Sequence, residues 1–268
     1  MILLALAISG CDSGDGDGDP DAAACELATP PAAGAAPDTT AVKVAEQGYT
    51  VVKADFARNA TSFARVSIGA VLENTGDQVA YRTRVVFDAL DASGTSVVSG
   101  EQAKYKMIEV PLLAPGEKAA IGDTLVVDEK ATVDTVTIEP AVTGWLPPGD
   151  AADGLAPIPA TVSPDGSGRE PDGSALVAFT TESPNCTDLL SRGITFAWRD
   201  TAGKLVGGNI DGQTKQSACQ VGGTTSPITA MSQKNTVPET ADVTKTQVSA
   251  LCDLTRGPGV VKEGEPIN

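Results

Sequence analysis

From about residue 48 onward, apolar positions recur every second residue, the period of strands with one buried face. Gly48 to Phe56 is a candidate opening strand. Ala64 to Glu73 alternates and stops at Asn74-Thr75-Gly76-Asp77, a cluster of turn formers. Ala80 to Leu90 is a longer strand, turned by Asp91-Ala92-Ser93-Gly94. From Val97 the chain is expected to return toward Val110 and Leu113, then to turn at Ala114-Pro115-Gly116-Glu117, where Pro followed by Gly suits a type II turn. Ala119 to Val127 and Thr132 to Ile138 complete the set. No long amphipathic helical pattern is present. Short strands with turn signals at this spacing predict antiparallel sandwiches.

The pattern repeats. Arg84 to Gly94 can be laid on Gly193 to Gly203 without a gap, matching Phe87 with Phe196, Asp91 with Asp200 and Gly94 with Gly203. At the same offset of about 109 positions Ile68 falls on Val177 and Glu73 on Glu182. One residue further, Val133 to Ile138 falls on Val243 to Val248. An ordered set of matches at one period predicts a duplicated unit. The expected domains are residues 41–147 and 152–256, followed by a tail over 257–268.

The order strand, Asn-Thr-Gly turn, strand with F-x-x-x-D, glycine turn, strand, L-x-P-G-E turn, strand resembles FxLYD-type and related immunoglobulin-like domains of bacterial lipoproteins. Phe196-Ala197-Trp198-Arg199-Asp200 approaches that motif, while Phe87-Asp88-Ala89-Leu90-Asp91 keeps Phe and Asp but displaces the leucine. The proline turn is Leu113 to Glu117 in the first copy and is degraded near Val221-Gly222-Gly223 in the second. The resemblance covers most of residues 41–256 and implies the fold class: all-β, two tandem immunoglobulin-like antiparallel sandwiches. It implies little about function, because such sandwiches host many unrelated roles.

The first 40 residues are different. Ile2 to Ile8 is an apolar run, too short for the roughly 20 residues that span a bilayer and suited to a signal-peptide core. It ends in Ile8-Ser9-Gly10-Cys11, which resembles the bacterial lipobox and implies cleavage after residue 10 and lipidation of Cys11. Two or three acyl chains at about 0.8 kcal/mol per buried CH₂ hold a protein on a membrane without a spanning helix. No Lys or Arg precedes the run, a departure from the charged start of most signal peptides that leaves the start codon open. Asp12 to Thr40 is acidic and glycine-rich, then rich in Ala and Pro; without apolar periodicity it is expected to be a disordered tether. Asp15, Asp17, Asp19 and Glu26 have the spacing of a calcium loop, but Pro20 stands where that loop needs glycine.

Charge and composition narrow the chemistry. A net charge of −16 without any run of Lys or Arg argues against nucleic acid. The chain contains no histidine, which removes Ser-His-Asp and Cys-His catalysis and His-ligated zinc. No nucleophile elbow, phosphate loop or dinucleotide fingerprint occurs. Glu73 and Glu182 recur in both copies but read as surface residues at strand ends. Trp198 is expected in a core with Ile194 and Phe196, and Trp145 at the junction of the domains or on a contact surface. After Cys11, four cysteines remain: Cys25, Cys186, Cys219 and Cys252. Export permits disulfides, and four cysteines allow three pairings. Bringing Cys186 and Cys252 to one end of the second sandwich favours Cys186–Cys252, which leaves Cys25–Cys219. The absence of C-x-x-C spacing speaks against metal.

Together these readings describe an extracytoplasmic cell-envelope lipoprotein. It is expected to be a non-catalytic binding or structural module without cofactor or metal. Its expected partners are the membrane, through lipid on Cys11, and an envelope protein or glycan. A hydrolase of envelope polymers using a carboxylate pair and a pure spacer are the alternatives.

Overall fold

The structure is a computed structural model that describes residues 27, 40–58, 61–100, 106–147, 156–211 and 216–259. The calcium-loop residues, Cys11 and Cys25 lie outside them. The first half contributes β1 (Val42–Arg58), β2 (Thr61–Asn74), β3 (Val79–Leu90), β4 (Met107–Leu113), β5 (Lys118–Asp128) and β6 (Thr135–Leu146). The second contributes β7 (Ala160–Val162), β8 (Gly168–Arg169), β9 (Ala175–Thr181), β10 (Leu190–Arg199), β11 (Leu205–Asp211), β12 (Ile228–Ser232) and β13 (Gln247–Asp253). All pairings between these strands are antiparallel. The fold is an all-β stack of sheets.

Sheet β1-β2-β5 and sheet β4-β3-β6 enclose a first core. Alternate residues of β2 (Val66, Ile68, Ala70, Leu72) meet Val85, Phe87 and Ala89 of β3, with Ile121 and Leu125 of β5. Sheet β11-β10-β13 and sheet β12-β9-β7 enclose a second core of Val177, Phe179, Ile194, Phe196, Trp198 and Val248. Trp198 is fully buried and stacks on Phe196 with ring centroids 5.3 Å apart. Trp145 packs against the first core, a cluster that also takes in Leu251 and Ile210 of the second half.

The two halves share one local design. Phe87 lies opposite Ile138 and Phe196 opposite Val248, the residues that the sequence repeat matches. After each middle strand, an aspartate closes the turn. Asp91 Oδ1 accepts from the Ser93 and Thr95 amides; Asp200 Oδ1 accepts from those of Ala202 and Lys204. Gly94 and Gly203 then take φ of 80° and 85°, a conformation that side chains other than glycine's resist. Gly116 adopts φ 75° and the Glu117 amide donates to the Ala114 carbonyl, as a type II turn requires.

β1 and β6 extend well beyond their expected ends. β1 starts at Val42 because Val42 and Val44 enter the first core. β6 runs through Pro140 to Leu146, and β4 contains Pro111. Both are edge strands, where a missing N–H costs no ladder bond.

The disulfide pairing differs from the expected one. Cys219 bonds Cys252, with Cα atoms 5.7 Å apart, which excludes both Cys186–Cys252 and Cys25–Cys219. The 3₁₀ turn Gln216–Cys219 folds back over β13, and the Leu189 amide donates to the Cys219 carbonyl. That turn brings Cys219 to the strand end the sequence reading had assigned to Cys186. Cys186 sits in the exposed connection before β10. It is disulfide-bonded, to a partner outside the described residues.

Candidate functional site

Polar and charged groups concentrate where the two halves meet. A bulge in β1 prepares that surface. The pairing of β1 with β2 shifts by one residue between Val44 and Glu46, as a β-bulge does. Before the bulge, Val42 and Val44 point into the first core. After it, Glu46, Gly48 and Thr50 face the second half. Gly48 then lies beside Gly69 of β2, and Gly69 beside Gly122 of β5. This row of three glycines crosses the whole sheet.

The row lets backbone meet backbone. A Cβ on Gly48 would stand 2.0 Å from the Leu205 carbonyl oxygen, one on Gly69 2.0 Å from that of Gly207, and one on Gly122 2.1 Å from that of Phe196. No side chain fits there. The facing residues of β10 and β11 are small as well: Thr195, Ala197, Gly207 and Gly208.

Hydroxyls and one carboxylate satisfy the edge of β11. Ser67 Oγ donates to the Gly208 carbonyl and accepts from the Gly208 amide, as a neighbouring strand would. Thr50 donates to the Val206 carbonyl, Thr195 to that of Ala120, and Thr124 to Asn209 Oδ1. At the rim, Arg199 makes a two-pronged pair with Glu46 at 2.7 Å on each oxygen. This hydrogen bonding holds the Glu46 carboxyl below its usual pKa against the opposing effect of partial burial. An edge strand with unpaired backbone groups is normally a liability; here it is sealed by the face of another sheet.

A second junction lies at the start of β3. Arg82 has φ of 52°, a strained value for a bulky residue. Both ladders skip it: its neighbours Tyr81 and Thr83 pair with Leu112 and Val110 of β4, which flank Pro111, and with Gly144 and Val142 of β6, which flank Thr143. Pro111 has no N–H to offer, and the Thr143 hydroxyl donates to the Arg82 carbonyl at 2.9 Å. All three strands reverse their alternation at this level. Val85, Val110 and Val142 face the first core, whereas Val79, Leu112 and Leu146 join the second. The sheet is creased so that its end serves the other half.

An ionic cluster fills the crease. Arg82 Nε donates to Glu109 Oε1 at 2.7 Å. Arg192 donates to Asp253 Oδ2 through Nε and Nη2 at 3.1 and 2.8 Å and lies 3.9 Å from Glu109. Arg192, Glu109 and Asp253 are 2%, 1% and 4% exposed. Burial alone would raise the Asp253 carboxyl, but the Thr255 hydroxyl and Arg192 outweigh it and hold the pKa below the usual range. The Tyr81 phenol is pushed up by burial. Such a cluster resembles catalytic machinery in composition. Arg82 pairs with Glu109 within the first half and Arg192 with Asp253 within the second, and the approach of Arg192 to Glu109 joins the two pairs across the junction.

Beside the crease, β4, β5, β13 and residues 157–160 line a cavity of about 280 Å³. Its walls are apolar, among them Val110, Leu112, Ile158, Ala250 and Leu251, with Glu117 and Lys118 contributing charge.

Of the singled-out carboxylates, Glu73 lies 3.6 Å from Lys118, and Glu182 is exposed in the other half. They do not form a pair with each other. Among the described residues no group of three or more Cys, Asp and Glu could hold a metal ion. The sequence reading missed Gly48, Gly69, Gly122, Arg192 and Asp253. The glycines carried a signal: each sits at an alternation position inside a strand, where glycine marks close backbone approach. No protein-family model matches the chain, and no curated protein matches it.

Proposed function

We propose that this chain is an extracytoplasmic lipoprotein of the cell envelope, anchored through lipid on Cys11, whose folded body is a non-catalytic binding or structural module. The observation that carries the non-catalytic reading is the ionic cluster. The charged groups most like catalytic machinery, Arg192, Glu109 and Asp253, are buried, Arg192 pairing with Asp253 within the second half and lying 3.9 Å from Glu109 of the first. The sequence Ile8-Ser9-Gly10-Cys11 supports the anchor. The FxLYD-type resemblance is supported by the matched roles of Phe87 and Phe196 in the two cores and of Asp91 and Asp200 in the two turns.

Partner binding by strand addition is the mode this body suits. β1 is an edge strand that exposes Tyr49 and Val51, at 37% and 39%. An extended partner segment adds main-chain hydrogen bonds at such an edge and reads side chains at alternate positions.

Two experiments test the proposal. Replacement Cys11→Ala should move the protein from the membrane fraction to the soluble fraction; retention on membranes refutes the anchor. Immobilised residues 41–268 should retain a saturable partner from solubilised envelope. Reproducible absence of any partner favours the spacer, and hydrolysis of envelope polymer by the purified protein refutes the non-catalytic reading.

A further inference from the structure

Asp123 is an unusual carboxyl among the described residues. It lies on β5 between Ile121 and Leu125, opposite Ile68 of β2, on the face that forms the first core. It is 6% exposed. Its Oδ1 accepts from the Thr124 amide at 2.7 Å, and its Oδ2 has no hydrogen-bond partner. Its neighbours on either side in the chain, Gly122 and Thr124, face the other way. Gly122 presses on the Phe196 carbonyl and the Asn209 amide, and Thr124 bonds Asn209. One strand thus carries a buried acid on one face and the contact between the halves on the other.

We propose that Asp123 is a proton-operated latch: its neutral carboxyl permits β5 to clamp the two halves together, and its ionisation loosens that clamp. Ionisation places an unpaired charge in an apolar core, which is resolved by admitting water or by moving the strand. A movement of β5 cannot stay within the first core. Gly122 touches backbone on β10 and β11 with no side chain between to absorb a shift.

No nearby charge offsets the cost. On β2, Arg65 and Glu73 lie on the opposite face from Ile68. On β3, Arg84 and Asp88 alternate out of the core that Val85 and Phe87 enter. Arg82 and Glu109 are in the crease, and Glu139 of β6 lies opposite Val86 on the outer face. Lys43 of β1 lies opposite Glu73, and Glu46 is bound to Arg199. Lys118 and Asp128 stand at the two ends of β5. Across the sheet, Arg192 pairs with Asp253 and Asp211 accepts from the Met231 amide. The Asp123 carboxyl is accordingly pushed by burial to about 7 from its usual 3.8, with only the Thr124 amide opposing.

The sign follows from linkage. The native state holds the proton more tightly than the unfolded chain, so the contribution of Asp123 is complete below pH 3.8 and is lost as pH rises through about 7. The difference of about three pH units corresponds to about a thousandfold in the folded-to-unfolded ratio. The latch requires nothing of the membrane reading and is tested on the soluble chain.

The experiment compares wild type with Asp123→Asn, which keeps shape and the Thr124 bond but cannot ionise. Denaturant unfolding is followed from pH 4.5 to 8.5, on the order of the range the shift spans. The wild-type folding constant, relative to that of the variant, should fall by up to tenfold per pH unit and level off above about pH 7. Hydrogen exchange in the native state, normalised to the intrinsic rate, should rise over the same window at Gly208 and Asn209 in wild type alone. Parallel stability profiles overturn the latch. Exchange that rises in β2 and β5 but not at Gly208 and Asn209 overturns its reach to the interface. Should the Asn variant not fold, Asp123→Leu takes its place, and the carboxyl's titration in wild type is read directly by carbon NMR; a native pKa below 5 refutes the proposal.

Discussion

The two middle strands, β3 and β10, hold the same place in the repeat and live in different surroundings. β3 alternates in its central part: Thr83, Val85, Phe87 and Ala89 are buried, and Arg84 and Val86 are exposed. β10 is buried from Leu190 to Trp198 on both faces. One face carries Ile194, Phe196 and Trp198 into the second core. The other, with Thr195 and Ala197, lies on the first half. The difference teaches what makes two sandwiches one body. Large side chains fill the cores, and small ones permit the contact between them, because only small residues let two sheets approach to backbone distance.

The sharpest way to break this comparison is to give the contact a side chain. Gly69→Val should destabilise by at least about 4 kcal/mol, above the usual overpacking range of about 1–3 kcal/mol, because the obstacle at 2.0 Å is the Gly207 backbone. Calorimetry should show one cooperative transition in wild type and two in any variant that survives. Gly100→Val, where nothing lies within 4 Å of the new Cβ, should change stability by less than about 0.5 kcal/mol. Equal losses at the two sites would mean that the row is not a contact.

The next largest effect is expected at the ionic cluster. Arg192→Met leaves Asp253 and Glu109 buried without their shared arginine and should cost about 3 kcal/mol or more. Arg84→Met, on the exposed face of β3 and 3.5 Å from Glu109, should cost less than about 1 kcal/mol. Urea unfolding of both variants measures the contrast. The double variant Arg192→Met, Asp253→Leu should recover much of the loss, since an apolar pair of similar volume is tolerated where half an ion pair is not.

The all-β class and most strands of the first half were legible because alternation is a local signal, and Asp91, Pro115 and Gly116 mark turns by their own chemistry. The contact between the halves was not. Glycine at positions 48, 69 and 122 reads locally as weakness in a strand; only the register of β1 with β2 and of β2 with β5 aligns the three. The bulge at Ala45 that sets this register has no sequence mark. Arg192 and Asp253 are 61 positions apart, and nothing in the spacing of isolated charges says which will be buried together. The disulfide failed for the same reason: the turn Gln216–Cys219 that carries Cys219 to Cys252 depends on packing over β13.

A smaller effect is expected at Ser67, whose hydroxyl serves both backbone groups of Gly208, the carbonyl being shared with the Thr124 hydroxyl at 3.4 Å. Ser67→Ala leaves the buried Gly208 amide without its partner, while the carbonyl keeps the Thr124 hydroxyl, at a cost of about 1–3 kcal/mol. Ser67→Thr keeps the hydroxyl but adds a methyl where Gly207 is already close. The alanine variant should therefore show faster exchange at the Gly208 amide alone. Faster exchange throughout β10 and β11 would mean that Ser67 holds the whole contact.

The smallest effect sharpens the comparison where the halves are alike. Asp91→Ala and Asp200→Ala each remove a carboxylate oxygen that accepts from two backbone amides in the turn after the middle strand. Asp91 is held below its usual pKa by the Ser93 hydroxyl first and by the Thr95 amide next, so the bonds favour the charged form. Both turns lie at the surface, where water replaces the lost oxygen, and each substitution should lower the urea midpoint less than Ser67→Ala does. The two losses should be equal and should add in the double variant, because a turn sees its own few residues and not the sheets behind it. A clearly larger loss at Asp200 would show that the turn is coupled to the contact nearby: Arg199, the residue before it, donates to both Glu46 and the Gly203 carbonyl. In that case the repeat would be local in sequence but no longer local in energy.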